Sequence, residues 1–283
     1  VRVTVVIVTF QSADTLQRCL ESIPAGVETV VVDNASSDGS PEIATAAGAS
    51  LIRNGSNVGF AAAANQGARH GSAPFLLFLN PDAELEDGCL DRLAEAFDAR
   101  PNVAVVGPDT IHSATSDPGM WPFPRARRTW AAELGLHRVI GRRDAPEGFV
   151  VGTCMLVRRS WFERLDGFDE QFFLYGEDAD FCQRALALGG RSETVRDAAI
   201  KHVGAHSANQ LASSFEHFHR GTELFILRNS GRWALLSHRV AVLTGALIRT
   251  VAFLPASRER SRWFRRLATR EATLLLRSPT RVP

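Results

Sequence analysis

The chain has 283 residues, of which 45% are hydrophobic and 22% charged. These fractions exclude a disordered or fibrous protein and point to one large α/β domain, or one domain plus an appendage. The net charge of +1 hides an asymmetry: residues 228–283 hold twelve arginines against Glu259 and Glu271, a net of +10, while residues 1–227 carry −9.

The opening stretch VRVTVVIVTF enters a strand at Val3–Val8, a β-branched run suited to a buried parallel sheet. It lacks the basic start and cleavage site of a signal peptide, so the expected location is cytoplasmic. Cys19, Cys89, Cys154 and Cys182 are scattered without a CxxC pair, as expected for reduced, buried thiols. A helix starts near Ser12 and runs through Leu16, Cys19 and Leu20. A second strand, Glu28–Val32, leads into the polar turn segment Asp33 to Ser40, and Pro41 suits the first turn of the next helix. A short strand at Leu51–Arg53, an Ala-rich helix at Gly59–His70 and an apolar strand at Phe75–Leu79 follow. After Asn80-Pro81-Asp82 the pattern predicts a helix over Leu85–Ala99 and a strand over Val103–Val106. Strand alternating with helix at this spacing predicts an α/β fold with a mostly parallel, doubly wound sheet and helices on both faces.

Residues 108–148 change character, with Pro108, Pro118, Pro122, Pro124, Pro146, Trp121, Trp130 and the Arg125–Arg128 cluster; they read as an excursion over one face of the sheet. Regular structure returns with a strand over Phe149–Val157, a helix near Arg159, a helix over Tyr175–Leu188 and a strand near Glu193–Ala199. The expected division is a domain over 1–227 and a basic amphipathic helical segment over 228–283. In that segment Val240, Leu243, Leu247, Val251 and Leu254 fall on one helical face and Arg249 on another. The apolar stretch 240–254 is 15 residues long, short of the ~20 that a span requires. It reads instead as a helix lying in the interface of an anionic membrane, with arginines at the headgroups, or else as a helix packed on its own domain with a solvated basic face. The interleaved apolar face argues against a nucleic-acid arm.

Open parallel sheets bind ligands at the carboxyl ends of their strands, so Thr9 and Phe10, Asp33 and Asn34, residues 53–57, and Asn80 and Asp82 carry the weight. No GxGxxG follows the first strand and no GxxxxGK[ST] occurs, which argues against dinucleotide and P-loop enzymes. Asp33 could accept hydrogen bonds from a nucleobase or ribose, or simply close an Asx-turn. Asn80 and Asp82 could aim at one Mg²⁺ or Mn²⁺, or Asp82 could cap the following helix. Glu177, Asp178 and Asp180 crowd three carboxylates into a helix start, more than the helix dipole alone explains, and one of them could act as a general base. His202, after a strand, is a candidate metal ligand or phosphate contact.

Five segments occur together in order: VTVVIVTF, VVDNASSDGS, NVGFAAAANQG, FLLFLNPDAEL and GTCMLVRRSWFERLDGFDEQFFLYGEDADFCQRA, with KHVGAHS as a sixth, weaker one. Together they resemble the family-two glycosyltransferases with the GT-A fold, over roughly residues 3–207. Within that family they are most similar to actinobacterial rhamnosyltransferases acting on N-acetylglucosaminyl-diphosphoryl-polyprenol. The resemblance implies that Thr9, Asp33, Asn57, Asn65 and Asn80 line a nucleotide-sugar pocket and that Asp82 and His202 hold a Mg²⁺ or Mn²⁺ ion. It also implies Asp178 as catalytic base with Glu177 beside it. Asn80 stands where the family's DxD motif has its first Asp. The implied reaction is inverting transfer of rhamnose from dTDP-rhamnose to a lipid-linked acceptor, by a protein peripheral to the inner face of the cell membrane. Alternatives are another donor with a non-lipid acceptor, or a silent nucleotide-sugar binder.

Overall fold

The computed structural model describes residues 2–98, 100–112, 117–136, 148–204, 208–253, 257–277 and 282. Leu254 and the last residues of the KHVGAHS segment lie outside them. The chain forms two compact units, one of Val1–Trp121 with Glu147–His217, the other of Pro122–Pro146 with Phe218–Pro283.

In the first unit the elements follow the expected alternation: β1 (Val3–Thr9), α1 (Ala13–Glu21), β2 (Glu28–Asp33), α2 (Ser40–Ala46), β3 (Ser50–Arg53), α3 (Phe60–His70) and β4 (Phe75–Leu79). Strands β3, β2, β1 and β4 lie side by side in that order, all parallel. Val5, Ile7, Val31, Leu77 and Leu79 are buried in one core beneath them, as the continuous apolar runs require. The four cysteines are free and buried.

Beyond β4 the architecture departs from simple alternation. The segment read as the start of a helix at Leu85 is a short strand, β5 (Ala83–Leu85), and α4 begins only at Cys89 (Cys89–Glu95). Ala83 and Leu85 are buried while Glu84 is not, a strand's alternation too short to register in the sequence. Next come β6 (Val103–His112), β7 (Asp117–Pro118), β8 (Met120–Pro122) and α5 (Ala126–Glu133). The single strand expected over Phe149–Val157 is two, β9 (Gly148–Val150) and β10 (Cys154–Arg158). Strand β10 inserts antiparallel between β4 and β6. After α6 (Arg159–Arg164) and α7 (Glu177–Ala187), β11 (Arg191–His202) runs parallel to β6 and antiparallel to β5. The register sets His202 opposite Ala83, one residue after Asp82.

The second unit is built from α5, from α8 (Ala208–Phe253) beyond His217, and from α9 (Arg258–Arg277). Gly231, at φ 79° and ψ 176°, breaks α8, in a left-handed conformation that glycine reaches without steric cost. The break reverses the chain. Sixteen residues of unbroken helix would span about 24 Å, yet Glu223 Oε2 and Arg239 Nη2 lie 2.6 Å apart. Phe215–Phe253 is long and apolar enough to cross a membrane by length and composition, but within it the chain doubles back.

The expectation that the arginines of 228–283 face headgroups is corrected for three of them. Arg239 and Glu223 are both fully buried as a pair. Arg270 lies 3.6 Å from Glu223 and also contacts Glu271, and Arg249 bonds the carboxylate of Glu133. Trp130 donates its indole N–H to Ser237 Oγ at 3.1 Å, so it serves packing within this unit.

Candidate active site

The carboxyl ends of β1, β2, β3 and β4 form a polar rim. Thr9 closes β1, fully buried, and its hydroxyl has no hydrogen-bond partner among the described residues. A buried hydroxyl left unpaired is costly, and at a strand end it is a natural contact for a bound polar group. Asp33 is fully buried, and its two carboxylate oxygens accept the Ser36 N–H at 3.3 and 3.1 Å. The bond reaches the third residue on, one beyond the Asx-turn weighed from the sequence, and it holds the carboxylate at the rim. Asn34 donates to the Gly59 carbonyl at 3.2 Å and accepts from Asn54 at 2.9 Å, tying the ends of β2 and β3 to the start of α3.

Asn57 Oδ1 accepts the Gly59 N–H at 3.0 Å. At Gly59 (φ +88°) a Cβ would lie 2.6 Å from the Phe173 carbonyl oxygen, so only glycine lets the Phe173 loop approach this closely. Asn65, on α3, is hydrogen-bonded to the loop before α7. Its amide accepts the Phe168 N–H at 2.9 Å and donates to the Phe168 carbonyl at 2.9 Å and to Glu170 at 3.1 Å. Through these bonds Asn65 pins the loop leading to α7, with one acceptor site left on its oxygen. Arg184 fastens the same loop, donating to the carbonyls of Leu165 at 2.7 Å and Gly167 at 2.9 Å while paired with Asp180 at 2.7 Å.

The Asn80-Pro81-Asp82 turn leaves β4 and enters β5. Because β11 pairs with β5, His202 Nε2 comes within 3.2 Å of Asp82 Oδ2, both side chains partly buried. The Val203 N–H also donates to the Asp82 carbonyl at 3.0 Å. With the following helix starting at Cys89, Asp82 does not cap it. A carboxylate oxygen and an imidazole nitrogen at this separation suit adjacent positions around one divalent cation. Among the described residues no cluster of three or more His, Cys, Asp or Glu is placed to hold a metal. The two side chains therefore fit a cation that completes its shell with water and ligand oxygens, as Mg²⁺ and Mn²⁺ commonly do.

Asp178 sits in the first turn of α7. One carboxylate oxygen accepts the Gly152 N–H at 2.9 Å and the other accepts the Ala179 N–H at 2.7 Å. Burial pushes its carboxyl above the usual range, and these backbone donors offset part of the rise. One residue on from Gly152, the Thr153 carbonyl accepts the Asn80 N–H at 3.0 Å. The loop Val151–Thr153 thus connects the strand end carrying the Asn-Pro-Asp turn to the helix carrying Asp178. Gly152 was not legible as a site residue, because its contribution is a main-chain N–H and leaves no side-chain signature.

Glu177, in contrast, is 5% exposed, and its Oε2 has no hydrogen-bond partner among the described residues. Burial, and then the neighbouring charge of Asp178, hold its carboxyl well above the ordinary value. A carboxyl whose folded-state pKa is raised favours the native state at low pH and loses that advantage as pH rises above the unfolded value. Glu177→Gln is therefore expected to gain about 1–2 kcal/mol at pH 8, or roughly 2–4 °C in Tm. The gain should shrink toward pH 4; thermal melts in which the variant is less stable at pH 8 would count against this.

Comparison with known proteins places this geometry. The model of Glycosyl transferase family 2 matches residues 4–166. A second, described as the N-terminal domain of galactosyltransferase, matches residues 141–206. The chain is 30% identical over 267 residues to a Mycobacterium tuberculosis protein named N-acetylglucosaminyl-diphospho-decaprenol L-rhamnosyltransferase, covering 81% of this chain and 85% of the relative. Among solved structures, a Pyrobaculum calidifontis mannosyltransferase in complex with GDP-Man and Mn²⁺ has a TM-score of 0.56 at 20% identity, covering 98% of this chain and 87% of that one. Glucosyl-3-phosphoglycerate synthase from Mycobacterium tuberculosis, with Mn²⁺, UDP and phosphoglyceric acid, has a TM-score of 0.56 at 15% identity, over 79% and 78% of the two chains. Both share the GT-A fold with this chain.

Proposed function

The chain belongs to glycosyl transferase family 2, and we propose that within it this glycosyltransferase moves L-rhamnose from dTDP-rhamnose to a lipid-linked N-acetylglucosaminyl diphosphate, with inversion. The observation that carries the substrate reading is the 30% identity, over most of both chains, to the mycobacterial L-rhamnosyltransferase. A lipid-linked acceptor places the protein at the inner face of the cell membrane.

In this reading Asp178 accepts the proton of the acceptor hydroxyl as that oxygen attacks the anomeric carbon. The new carbon–oxygen bond forms on the face opposite the leaving nucleoside diphosphate, whose oxygen keeps the bonding electrons. No covalent enzyme intermediate is required. Gly152 and Ala179 hold the carboxylate in place from the main chain. Thr9, Asp33 and Asn57 contact the nucleotide end of the donor, and Asn65 acts at one remove by fixing the loop before α7. Asp82 and His202, with Asn80 beside them, would hold a Mg²⁺ or Mn²⁺ ion, which when bound neutralises charge on the departing diphosphate.

The test is a transfer assay with a panel of nucleotide sugars and N-acetylglucosaminyl-diphosphoryl-lipid as acceptor. Product is expected from dTDP-rhamnose alone, lost on chelation and restored by Mg²⁺ or Mn²⁺. Transfer from a different donor would discard the rhamnose assignment while keeping Asp178 as base.

A further inference from the structure

The second half of α8 is inside out for a helix in water. A surface helix ordinarily turns its charged residues to solvent and its apolar stripe to the core. Here the buried side holds Leu235, His238, Arg239, Val242 and Ala246. The exposed side holds Trp233 at 69%, Leu247 at 51% and Val251 at 67% exposure, with Val240 and Ile248 between them. Between Trp233 and Ala252 the only charged residues are Arg239 and Arg249, and both turn inward, to Glu223 and Glu133.

Positions 233, 240, 247 and 251 recur at seven and four residues, so they form one stripe along the helix. At 1.5 Å per residue the stripe is about 27 Å long. Salt-bridged polar residues thus brace α8 from within its unit, and the outward face carries no charge. A continuous exposed apolar surface of this kind marks a contact with another apolar phase.

We infer that this stripe is a membrane-docking face, inserting Trp233, Val240, Leu247 and Val251 into the interface of an anionic lipid surface. Charge identifies the occupant. Arg228, Arg232, Arg260, Arg262, Arg265 and Arg266 are all exposed in this unit, matching a negative headgroup layer. Arg232 stacks on Trp233, its guanidinium carbon 5.5 Å from the ring centroid, and this pairing of aromatic body with cation suits the headgroup boundary. A helix crossing the bilayer is disfavoured, because it would require the pairs of Arg239 with Glu223 and Arg249 with Glu133 to lie within the hydrocarbon. The inference deepens the lipid-acceptor reading by naming the surface that would hold the enzyme beside such an acceptor. It does not depend on which sugar is transferred.

The experiment is co-sedimentation of the full chain, without donor or acceptor, with phosphatidylcholine vesicles and with vesicles containing roughly 30% phosphatidylglycerol. Binding is expected to the anionic vesicles and to weaken at high salt. The double variant Trp233→Glu/Val251→Glu should bind about tenfold or more weakly, as each change places a charge where apolar area would be buried. Should that variant fold poorly, Trp233→Phe provides the second reading. Quenching of tryptophan fluorescence by brominated lipid should drop relative to the parent, because Trp233 is the inserted reporter. Absence of binding to anionic vesicles, or binding indifferent to the double variant, would overturn the inference. So would a dimer in solution that the double variant dissociates, since the stripe would then join two copies. Because vesicle binding is read without turnover, it can fail while rhamnosyl transfer succeeds, and the reverse.

Discussion

Asp178→Asn is expected to fold as the parent does and to lose transfer by on the order of 10²–10⁴-fold, the contribution of a positioned general base. The amide keeps an oxygen that can accept from the Gly152 or Ala179 N–H, so the loop and helix start it joins should stay in place. It cannot take a proton from the acceptor hydroxyl. The loss should therefore appear in kcat and in kcat/KM alike, with donor binding largely retained. In the parent enzyme the active form is the carboxylate, and burial raises the pKa of Asp178. Activity should accordingly fall with decreasing pH through a value above the ordinary Asp pKa of about 3.9. Thermal melts, donor titrations and pH–rate profiles on the pair of proteins check each part. Turnover near the parent's in a folded Asp178→Asn protein would remove the base assignment.

Glu223→Ala should produce the largest loss of stability, about 3–5 kcal/mol, because it strands Arg239 as a fully buried charge without its carboxylate. Arg270 would lose its contact with Glu223 as well, leaving it Glu271. Burial depresses His219 to about 4 and His238 to about 3, so near neutrality neither adds charge to this interior. The double variant Glu223→Leu/Arg239→Met should be much milder, since removing both charges removes both desolvation costs along with the attraction. Calorimetric unfolding of the two variants distinguishes a true pair from two independent residues: equal losses would contradict the pairing. Vesicle binding of the double variant would further show whether the buried network is what keeps the apolar face of α8 turned outward.

Much of the first unit was legible without coordinates. The β-branched run Val3–Val8 could be little other than a buried strand, and Pro41 and the turn residues before it announced a helix start. The acidic cluster Glu177-Asp178-Ala179-Asp180 stood out because like charges in one helical turn call for a reason. What stayed hidden depended on partners distant in sequence. The run Phe149–Val157 gave no sign that β10 would enter the sheet antiparallel, since an apolar strand looks alike in either direction. Nor did three residues, Ala83–Leu85, disclose a strand that exists only because β11 pairs with it and so delivers His202 to Asp82.

The same limit applied to individual side chains. The family resemblance placed Asn65 in a ligand pocket but gave no sign that its amide also bonds Phe168 and Glu170, more than a hundred residues away. The count of twelve arginines in 228–283 was correct, yet it could not distinguish those facing outward from Arg239, which the reversal at Gly231 brings against Glu223. By itself the sequence determined the periodicity of the elements, the family and the residues capable of chemistry, because these follow from local pattern and from side-chain type. Only the tertiary structure decided which carboxylates are raised, which arginines are paired and which apolar face is left exposed, because burial and charge pairing depend on neighbours the chain meets only after folding.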